Sequence, residues 1–329
     1  MKHGTPWNGA PPDTSPLSSS PPEREISLKA SVIIPAYNAR AALRGCLLSL
    51  AHQNRETTGS FEVIVVDDGS SDGTGEMIER FPADLDLRYV HEPRTPRSGR
   101  ARARNIGLAM ATGDLVVTLD ADQVVAPSFI GEHIRAHATD PDLLLVGRRM
   151  QLGEGDIEAA TRGDGFDVSA LPEVVRGDER ERLFEEFSFD LADMVTAWHH
   201  VWTCNASVRR DRLNAVGGFD EGFTGWGLED AEVGYRLARA GVRMRYTTRA
   251  AVHHVHREPL TTAMYREWRR NLAYFIHKHP DPIVRLQEMF APAIDPEATA
   301  NGGWVGTAAR FEAAARALER ERHRPPLGR

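Results

Sequence analysis

Short apolar runs rich in β-branched residues alternate with helical stretches between residues 29 and 150. In the first helical stretch, Leu43, Cys46, Leu47 and Leu50 recur at i, i+3, i+4 and i+7, which is the spacing of one helix face. Nearly continuous apolar runs separated by helices predict an α/β fold, in which a Rossmann-like, mostly parallel sheet carries helices on both faces. The runs predicted as strands are Ser31–Pro35, Phe61–Asp67, Leu87–His91, Asp114–Asp120 and Leu143–Gly147.

The chain outside this region divides into segments of different character. Its first residues are rich in proline and serine and lack the apolar side chains of a core, which predicts a disordered tail. An acidic, weakly periodic stretch after the last strand predicts a variable insertion or mobile excursion with one charged helix. The predicted segments are the tail (1–28), one α/β domain (29–258) made of two halves (29–150 and 196–258) around the insertion (151–195), and a helical C-terminal extension (259–329).

The charge balance and the cysteine count argue against several classes of protein. The chain has 40 lysines and arginines against 47 aspartates and glutamates, whereas proteins held to nucleic acid by phosphate contacts normally have a basic surplus. No apolar run approaches the ~20 residues of a membrane-spanning helix. Two cysteines cannot form a disulfide framework, and the tail has no apolar signal segment. We therefore expect a cytoplasmic protein without a transmembrane segment.

Polar residues follow the first two predicted strands, at the edge of a parallel sheet where ligands bind. Asn38 follows the first strand, and a helix N-cap would explain it equally well. Asp67 and Asp68 end the second strand ahead of a Gly-Ser-Ser-Asp turn, which is also an ordinary way to leave a strand. Each of these motifs leaves a structural and a ligand-binding interpretation open.

Two further motifs together suggest a metal site. Asp120 and Asp122 share one side of a continuing strand, and two carboxylates so placed repel each other unless a cation lies between them. Such hard oxygen ligands suit Mg²⁺ or Mn²⁺ that carries phosphate oxygens, although a solvated acidic loop is the alternative. A cluster of three histidines increases the chance that an imidazole completes the site: His253, His254 and His256.

Four arginines precede the acidic motif on a loop that enters a helix: Arg97, Arg100, Arg102 and Arg104. A charged, solvated helix face is the usual explanation of such a run. The planar guanidinium fork also suits a diphosphate, and only one or two of the four could reach one.

Another acidic pair lies in the segment Gly225–Asp230 (GWGLED). Glu229 and Asp230 fall in the first turn of a predicted helix, where carboxylates interact favourably with the helix dipole by about 0.3–1 kcal/mol each. The dipole does not explain why Trp226 stands between two glycines. Glycines let the backbone approach a ligand closely, and an aromatic ring beside a carboxylate suits a sugar.

Five segments together resemble family 2-type glycosyltransferases of the GT-A fold. They occur in the family's order between about residues 30 and 257: SVIIPAYNA (31–39), VIVVDDGSSDGT (63–74), ARNIGLAMATGDLVVTLDAD (103–122), TCNASVRR (203–210) and GGFDEGFTGWGLEDAEVGYRL (217–237). The GWGLED segment is also similar to β-1,4-galactosyltransferases, chondroitin-type polymerases and, more distantly, polypeptide N-acetylgalactosaminyltransferases.

The resemblance implies an inverting, metal-dependent transfer of a sugar from a nucleotide-sugar donor to an acceptor hydroxyl. The donor would be a UDP-hexose or UDP-N-acetylhexosamine, the metal Mn²⁺ or Mg²⁺, and the acceptor a glycan, a peptide or a small molecule. The first half of the domain would bind the nucleotide sugar, and the second half would carry the acceptor and catalytic groups. The residues implied to bind the nucleotide sugar are Pro35, Ala36, Tyr37, Asn38, Asp67, Asp68, Arg97 and Asp120.

The remaining implied roles concern the metal and the reaction. Asp122 would bind the metal together with His254, for which His253 and His256 are rivals. Asp230 would be the catalytic base, with Glu229 beside it. The residues implied to contact acceptor or sugar are Trp226, Glu229 and Asn205.

The sequence also leaves two other functions open. The run VVTLDAD (116–122) fits haloacid-dehalogenase-type phosphatases, in which Asp120 would be the phosphorylated nucleophile. A chain that kept the fold and lost catalysis would instead be a sugar-nucleotide-binding protein. The complete set of acids and histidines argues against the second alternative, and nothing in PAYN or GWGLED is required by the first.

Overall fold

The computed structural model describes residues 28–81, 84–161, 166–255, 259–298 and 303–323. The predicted proline- and serine-rich tail falls outside these residues apart from Leu28, which is buried.

One mixed sheet runs through the described residues. Its strand order is β3-β2-β1-β4-β8-β6-β9-β5, and β7 pairs with β6 beside this path. The strands are β1 (Ala30–Ala36), β2 (Phe61–Asp67), β3 (Leu87–His91), β4 (Leu115–Leu119), β5 (Gln123–Val125), β6 (Leu143–Leu152), β7 (Val174–Arg176), β8 (Asn205–Arg209) and β9 (Arg243–His254).

The α/β fold with helices on both faces is confirmed, and the five predicted strands correspond to β1, β2, β3, β4 and β6. Parallel pairing joins the four strands β1, β2, β3 and β4 into one half of the sheet. In the other half, β6 pairs in parallel with β9. The other pairings, including those of β8 with β4 and β6, are antiparallel, so the sheet is mixed. A parallel crossover needs a dozen or more residues. Only three residues separate β4 from β5, and β5 instead pairs with β9.

The α-helices lie on both faces of the sheet. They are α1 (Arg40–Ala51), α2 (Arg55–Thr58), α3 (Thr74–Glu79), α4 (Arg100–Met110), α5 (Phe129–Ala138), α6 (Glu181–Glu185), α7 (Arg210–Ala215), α8 (Glu229–Arg239), α9 (Thr262–Lys278), α10 (Pro282–Arg285), α11 (Ala291–Ile294) and α12 (Gly303–Arg322). Short 3₁₀ segments are Ile157–Thr161, Val168–Ala170, Leu191–Asp193, Ala197–His200 and Leu286–Phe290. No helix in these described ranges is both long and apolar enough to span a bilayer.

The two largest apolar cores hold most of the helices against the sheet. The predicted face of α1 is fully buried in one core with alternate side chains of β1 and β2. The second core joins β6 and β8 to α8 and to the C-terminal helices, through Phe275 of α9 and Phe311 of α12. Each fully buried leucine or phenylalanine stabilises the fold by about 1.5–3 kcal/mol. The C-terminal helices therefore share a core with the helix that carries the GWGLED acids.

The stretch predicted as an insertion packs into the fold where it is described. Its charged helix is α6, a little over one turn long. Just before α6, the fully buried guanidinium of Arg180 forms an ion pair with Asp178 at 2.6 Å. Arg180 also donates to the carbonyl oxygens of Gly147 and His200, at 3.0 and 2.9 Å. The pair therefore ties the insertion to β6 and to the segment that leads into β8.

Candidate active site

A buried arginine joins the acids at the end of β4 to those at the start of α8. Arg104 is 1% exposed. Its guanidinium lies 3.1 Å from Asp120, 3.2 Å from Glu229 and 3.5 Å from Asp230. The structure thus brings together three predicted site residues that are up to 110 positions apart, counted from Asp120 to Asp230.

Arg104 faces inward because of its place on α4. Ala101 and Leu108, three residues before it and four after it, are buried on the same helix face, and Gly107 lets that face lie directly against Ile33 of β1. Burial disfavours the charged guanidinium, but the three carboxylates outweigh burial and raise the pKa of Arg104 above its usual value. The cluster therefore keeps a fixed positive charge beneath the acids.

Asp230 is held in a defined orientation by Thr203. The Thr203 hydroxyl donates to Oδ1 at 2.5 Å, and its backbone N–H donates to Oδ2 at 3.2 Å. The Asp230 side chain remains 24% exposed, so solvent or a substrate can reach it. Burial and then the Glu229 charge raise the pKa of Asp230 to about 7, although Arg104 and the Thr203 hydroxyl oppose the rise. A carboxylate with such a pKa can accept a proton near neutral pH.

Asp122 lies beside His254, the predicted metal histidine. The two residues meet because Gln123 of β5 pairs with His254 of β9. His254 Nε2 is 3.2 Å from Asp122 Oδ2, close to the ~3 Å between neighbouring ligands of an octahedral ion with bonds of about 2.1 Å. Asp122 Oδ1 and His254 Nδ1 are buried and have no hydrogen-bond partner among the residues that the structure describes. This donor set fits Mg²⁺ or Mn²⁺.

The two side chains would leave most positions of an octahedral ion to phosphate oxygens and water. Within the described ranges, no group of three or more histidine, cysteine, aspartate or glutamate side chains is arranged to hold a metal ion. His253 pairs in register with Val124, and burial lowers its pKa. Successive strand residues point to opposite faces, which separates it from Asp122. The remaining rival, His256, lies outside the described residues.

The loops after β1 and β2 form the predicted nucleotide end of the site. Tyr37 is 49% exposed, and the Arg94 guanidinium lies 4.2 Å from the centre of its ring. Arg94 also pairs with Asp68 at 2.5 Å. Asn38 has a left-handed φ of 48°, and its side-chain oxygen accepts from the Ser71 N–H at 2.9 Å. An exposed aromatic ring beside a cation is therefore fixed between the two strand ends.

Three predicted nucleotide-binding residues lie at the strand ends from which these two loops begin. Pro35 and Ala36 end β1, and the Ala36 carbonyl accepts from the Asp68 N–H at 2.9 Å. Asp67 is almost fully buried, and its carboxylate accepts from the Ser70 N–H at 2.8 Å and from the Tyr89 hydroxyl at 2.7 Å. The Asp67 oxygens are therefore engaged within the loop.

The loop that carries Trp226 depends on backbone conformations that glycine favours. Gly225 and Gly227 have φ values of 75° and 91°. The Trp226 N–H donates to Glu267 of α9 at 2.8 Å, and Asn271 donates to the Gly227 carbonyl at 2.8 Å. Trp226 itself is half-buried at the entrance to α8. These positive φ values explain why glycine stands at both positions, and the close approach of the backbone to a ligand stays a prediction.

The structure does not bring two predicted residues to the acidic cluster. Asn205 is 0% exposed, and its amide donates to the carbonyls of Arg148 and Ala250, at 2.9 and 2.8 Å, between neighbouring strands. It is therefore a residue of the sheet interior and does not line the site. Arg97 is exposed on the loop before α4, and no hydrogen bond or ion pair in the described part of the chain joins its side chain to the cluster.

Two residues of the cluster were not singled out from the sequence. Arg104 was one of four arginines, and the spacing of Ala101 and Leu108 around it was the signal that it faces inward. Thr203 had no such signal, because its contact with Asp230 joins residues 27 positions apart.

Curated relatives of the chain are glycosyltransferases. The uncharacterized glycosyltransferase YfnE of Bacillus subtilis is 33% identical over 77% of this chain and 71% of its own length. Validoxylamine A glucosyltransferase of Streptomyces hygroscopicus is 33% identical over 78% of this chain, and chondroitin synthase of Pasteurella multocida is 29% identical over 72%. The matches span 62% and 26% of those two relatives, so both have further sequence.

Solved structures share the fold at low sequence identity. A mannosyltransferase, PcManGT, from Pyrobaculum calidifontis in complex with GDP-Man and Mn²⁺ has a TM-score of 0.54 at 22% identity, over 92% of this chain and 79% of its own. GalNAc-T7 with UDP, GalNAc and Mn²⁺ has a TM-score of 0.56 at 15% identity, over 92% of this chain and 59% of its own. Both are GT-A glycosyltransferases, which confirms the GT-A fold.

Two family models match the chain across the site. Residues 186–258, which include the GWGLED segment, match the model described as the N-terminal domain of galactosyltransferase. Residues 31–214, more than half of the chain, match glycosyl transferase family 2. Together with the identity to YfnE, this match shows that the chain belongs to glycosyl transferase family 2 and is a glycosyltransferase.

Proposed function

We propose that the protein is an inverting, metal-dependent glycosyltransferase in which Asp230 is the catalytic base. The observation that carries the proposal is the setting of that carboxylate. Thr203 orients it, Glu229 and burial raise its pKa to about 7, and Arg104 links it to Asp120 at the end of β4. A base at this position serves a reaction that removes a proton from an acceptor hydroxyl.

The base would act on an acceptor hydroxyl that attacks the anomeric carbon of the donor. An oriented carboxylate within about 2.6–3.2 Å of that hydroxyl takes its proton as the new glycosidic bond forms. One direct displacement inverts the configuration at the anomeric carbon. Glu229 immediately precedes Asp230, and the half-buried Trp226 lies four residues before it. We assign both to contacts with the sugars.

The donor would be a nucleotide sugar, a UDP-hexose or UDP-N-acetylhexosamine. Tyr37 offers an exposed ring on which the nucleobase of the donor can stack, while Asn38 and Asp68 lie on the loops beside it. Asp120, at the end of β4, would face the ribose and the sugar. Sugar nucleotides in the titles of fold neighbours, and a glucosyltransferase among the relatives, support this donor class.

Asp122 and His254 would hold a divalent cation, Mn²⁺ or Mg²⁺. A cation bound there supplies positive charge to the departing diphosphate. The unpartnered Asp122 Oδ1 and the 3.2 Å separation of the two side chains support this assignment. Arg97, exposed on the loop before α4, is the candidate for a second positive contact with the diphosphate.

The alternative functions are not favoured. In a phosphatase of the haloacid-dehalogenase type, Asp120 would act as a nucleophile, and the family membership of this chain gives no support to that reaction. A degenerate binding protein would not need a base with a raised pKa. The acceptor class follows from neither argument, so a glycan, a peptide and a small molecule all belong in the first screen.

The experiment compares wild type with Asp230→Asn and with Asp211→Asn, a matched change at an exposed residue of α7. UDP release from a panel of UDP-sugars is measured with glycan, peptide and small-molecule acceptors, and UDP binding is measured separately. Loss of a general base should lower the turnover of Asp230→Asn by about 10²–10⁴-fold, with UDP affinity unchanged. A loss of UDP affinity as large as the loss of rate would contradict the role of Asp230.

A further inference from the structure

Arg149 of β6 carries a positive charge that no acid of the described residues neutralises. Its side chain makes no hydrogen bond or ion pair with any of them, while its backbone N–H donates to Asp178 at 2.9 Å. The neighbouring acids already have partners, because Asp178 pairs with Arg180 and Glu181 pairs with Arg148. One guanidinium of this group of three is therefore left without a counter-charge.

Trp202 fixes the position of that guanidinium. The Arg149 guanidinium lies 4.5 Å from the centre of the Trp202 ring, and the buried Arg180 lies 3.9 Å from it. Trp304 of α12 lies beside Trp202, with the ring centres 5.6 Å apart. Stacking on a ring leaves the N–H donors of an arginine pointing outward in its plane. Arg149 is half-exposed, so these donors are accessible.

Arg149 lies between the proposed catalytic base, Asp230, and the proposed metal ligand His254. Trp202 immediately precedes Thr203, which holds Asp230. Two residues beyond Arg149, about 7 Å along β6, Gln151 donates to the backbone carbonyl of His254 at 3.3 Å.

The sheet order separates Arg149 from the proposed nucleotide-binding loops. The proposed nucleotide site lies at the ends of β1, β2 and β4, whereas β6 is separated from β4 by β8. An unpaired guanidinium binds carboxylate or phosphate oxygens through paired hydrogen bonds. Adjacent tryptophans add apolar surface with which a sugar ring can pack.

We propose that Arg149, supported by Trp202 and Trp304, binds an anionic group on the acceptor sugar. The preferred acceptor is then an acidic sugar, with a carboxylate or a phosphate near the hydroxyl that reacts. This inference rests on the proposed glycosyltransferase function and adds a selectivity that the function alone does not require.

The test measures sugar binding to the protein saturated with UDP and Mn²⁺. The probes are methyl β-glucuronide, glucose 6-phosphate and the neutral methyl β-glucoside, so the two anionic probes distinguish a carboxylate from a phosphate. Wild type should bind at least one anionic probe about tenfold more tightly than the neutral sugar. Arg149→Gln should lose this preference, and Arg149→Lys should retain part of it.

Two controls separate failure of this inference from failure of the proposed function. Arg239→Gln removes the same charge from an exposed residue at the far end of α8 and should keep the preference. UDP and Mn²⁺ should bind Arg149→Gln as they bind wild type. Equal binding of all three probes, no binding of any probe, or loss of UDP affinity in Arg149→Gln would overturn the acceptor assignment. Absence of UDP binding in wild type would contradict the proposed function itself.

Discussion

Thr203 binds Asp230 through two donors, its hydroxyl at 2.5 Å and its backbone N–H at 3.2 Å. One residue therefore both orients this carboxylate and limits the rise of its pKa. The loop before β8 is thus part of the site, and although Thr203 begins the family-like segment TCNASVRR (203–210), the sequence assigned it no role.

Removing the Thr203 hydroxyl should move the pH dependence of the reaction. The hydrogen bond lowers the pKa of Asp230, so Thr203→Val should raise that pKa. Because the base acts only when deprotonated, the rising limb of the rate against pH, expected near pH 7, should shift to higher pH. The kcat/KM profiles of Thr203→Val and of Thr203→Ser, which keeps the hydroxyl, measure the effect. Identical profiles for the two variants would exclude the hydroxyl as the cause.

Neutralising Glu229 should move the same limb in the opposite direction. The Glu229 charge raises the pKa of Asp230, so Glu229→Gln should lower it and shift the rising limb to lower pH. Opposite shifts in Glu229→Gln and Thr203→Val would identify Asp230 as the titrating group. Shifts of the same sign, or none in either variant, would assign the limb to another residue.

Replacing Arg104 should destabilise the fold in a pH-dependent way. Arg104→Met leaves three carboxylates without their buried counter-charge, which costs about 3–5 kcal/mol of unfolding free energy. The loss should be smaller at pH 5 than at pH 8, because Asp230, with its pKa raised to about 7, is protonated at pH 5. Thermal unfolding of wild type and Arg104→Met at pH 5 and at pH 8 measures the loss of stability.

The matched control on the same helix is Arg102→Met. Arg102 forms a partly exposed pair with Glu92, and such pairs contribute about 0–1 kcal/mol. Equal losses of stability in the two variants, or a loss in Arg104→Met that does not depend on pH, would contradict the counter-charge role.

A methyl group at Gly225 should disturb the Trp226 loop. An alanine at φ 75° is strained, and its Cβ would lie 2.5 Å from the Glu267 carboxylate that binds the Trp226 N–H. Gly225→Ala should therefore lower kcat/KM with little change in UDP affinity. Gly217→Ala shares the left-handed φ but meets no atom within 4 Å. It should cost about 1 kcal/mol of stability and leave the rate unchanged, and an equal loss of rate would refute the role of the collision.

Local patterns predicted the first half of the fold well. The apolar run Ser31–Pro35 lies within β1. The apolar residues at i, i+3, i+4 and i+7, counted from Leu43, predicted the buried face of α1. Both depend only on neighbouring residues. The mixed second half was not visible in the same way, because the antiparallel position of β8 is decided by pairing with β4 across long separations.

In the site too, contacts between residues far apart in the chain could not be predicted from local patterns. The pairing of Asp122 with His254 came from a family resemblance, since no periodicity relates residues so far apart. The placement of Asn205 could not be anticipated: Gly147 lacks a side chain, which leaves room for the Asn205 amide to enter the sheet. Arg104 was recognisable by its position on a helix face, but its partners on α8 were not.

The most direct test of the account is thermal unfolding with UDP, with Mn²⁺ and with both, on wild type and Asp122→Ala. Ligand at 100 times its dissociation constant stabilises the folded state by about 2.7 kcal/mol, which raises the midpoint by roughly 2–4 °C per kcal/mol. The account predicts that UDP and Mn²⁺ together stabilise wild type by more than the sum of their separate effects, and that this synergy disappears in Asp122→Ala. No stabilisation by UDP in any condition, or the same synergy in Asp122→Ala, would contradict the proposed donor and metal site.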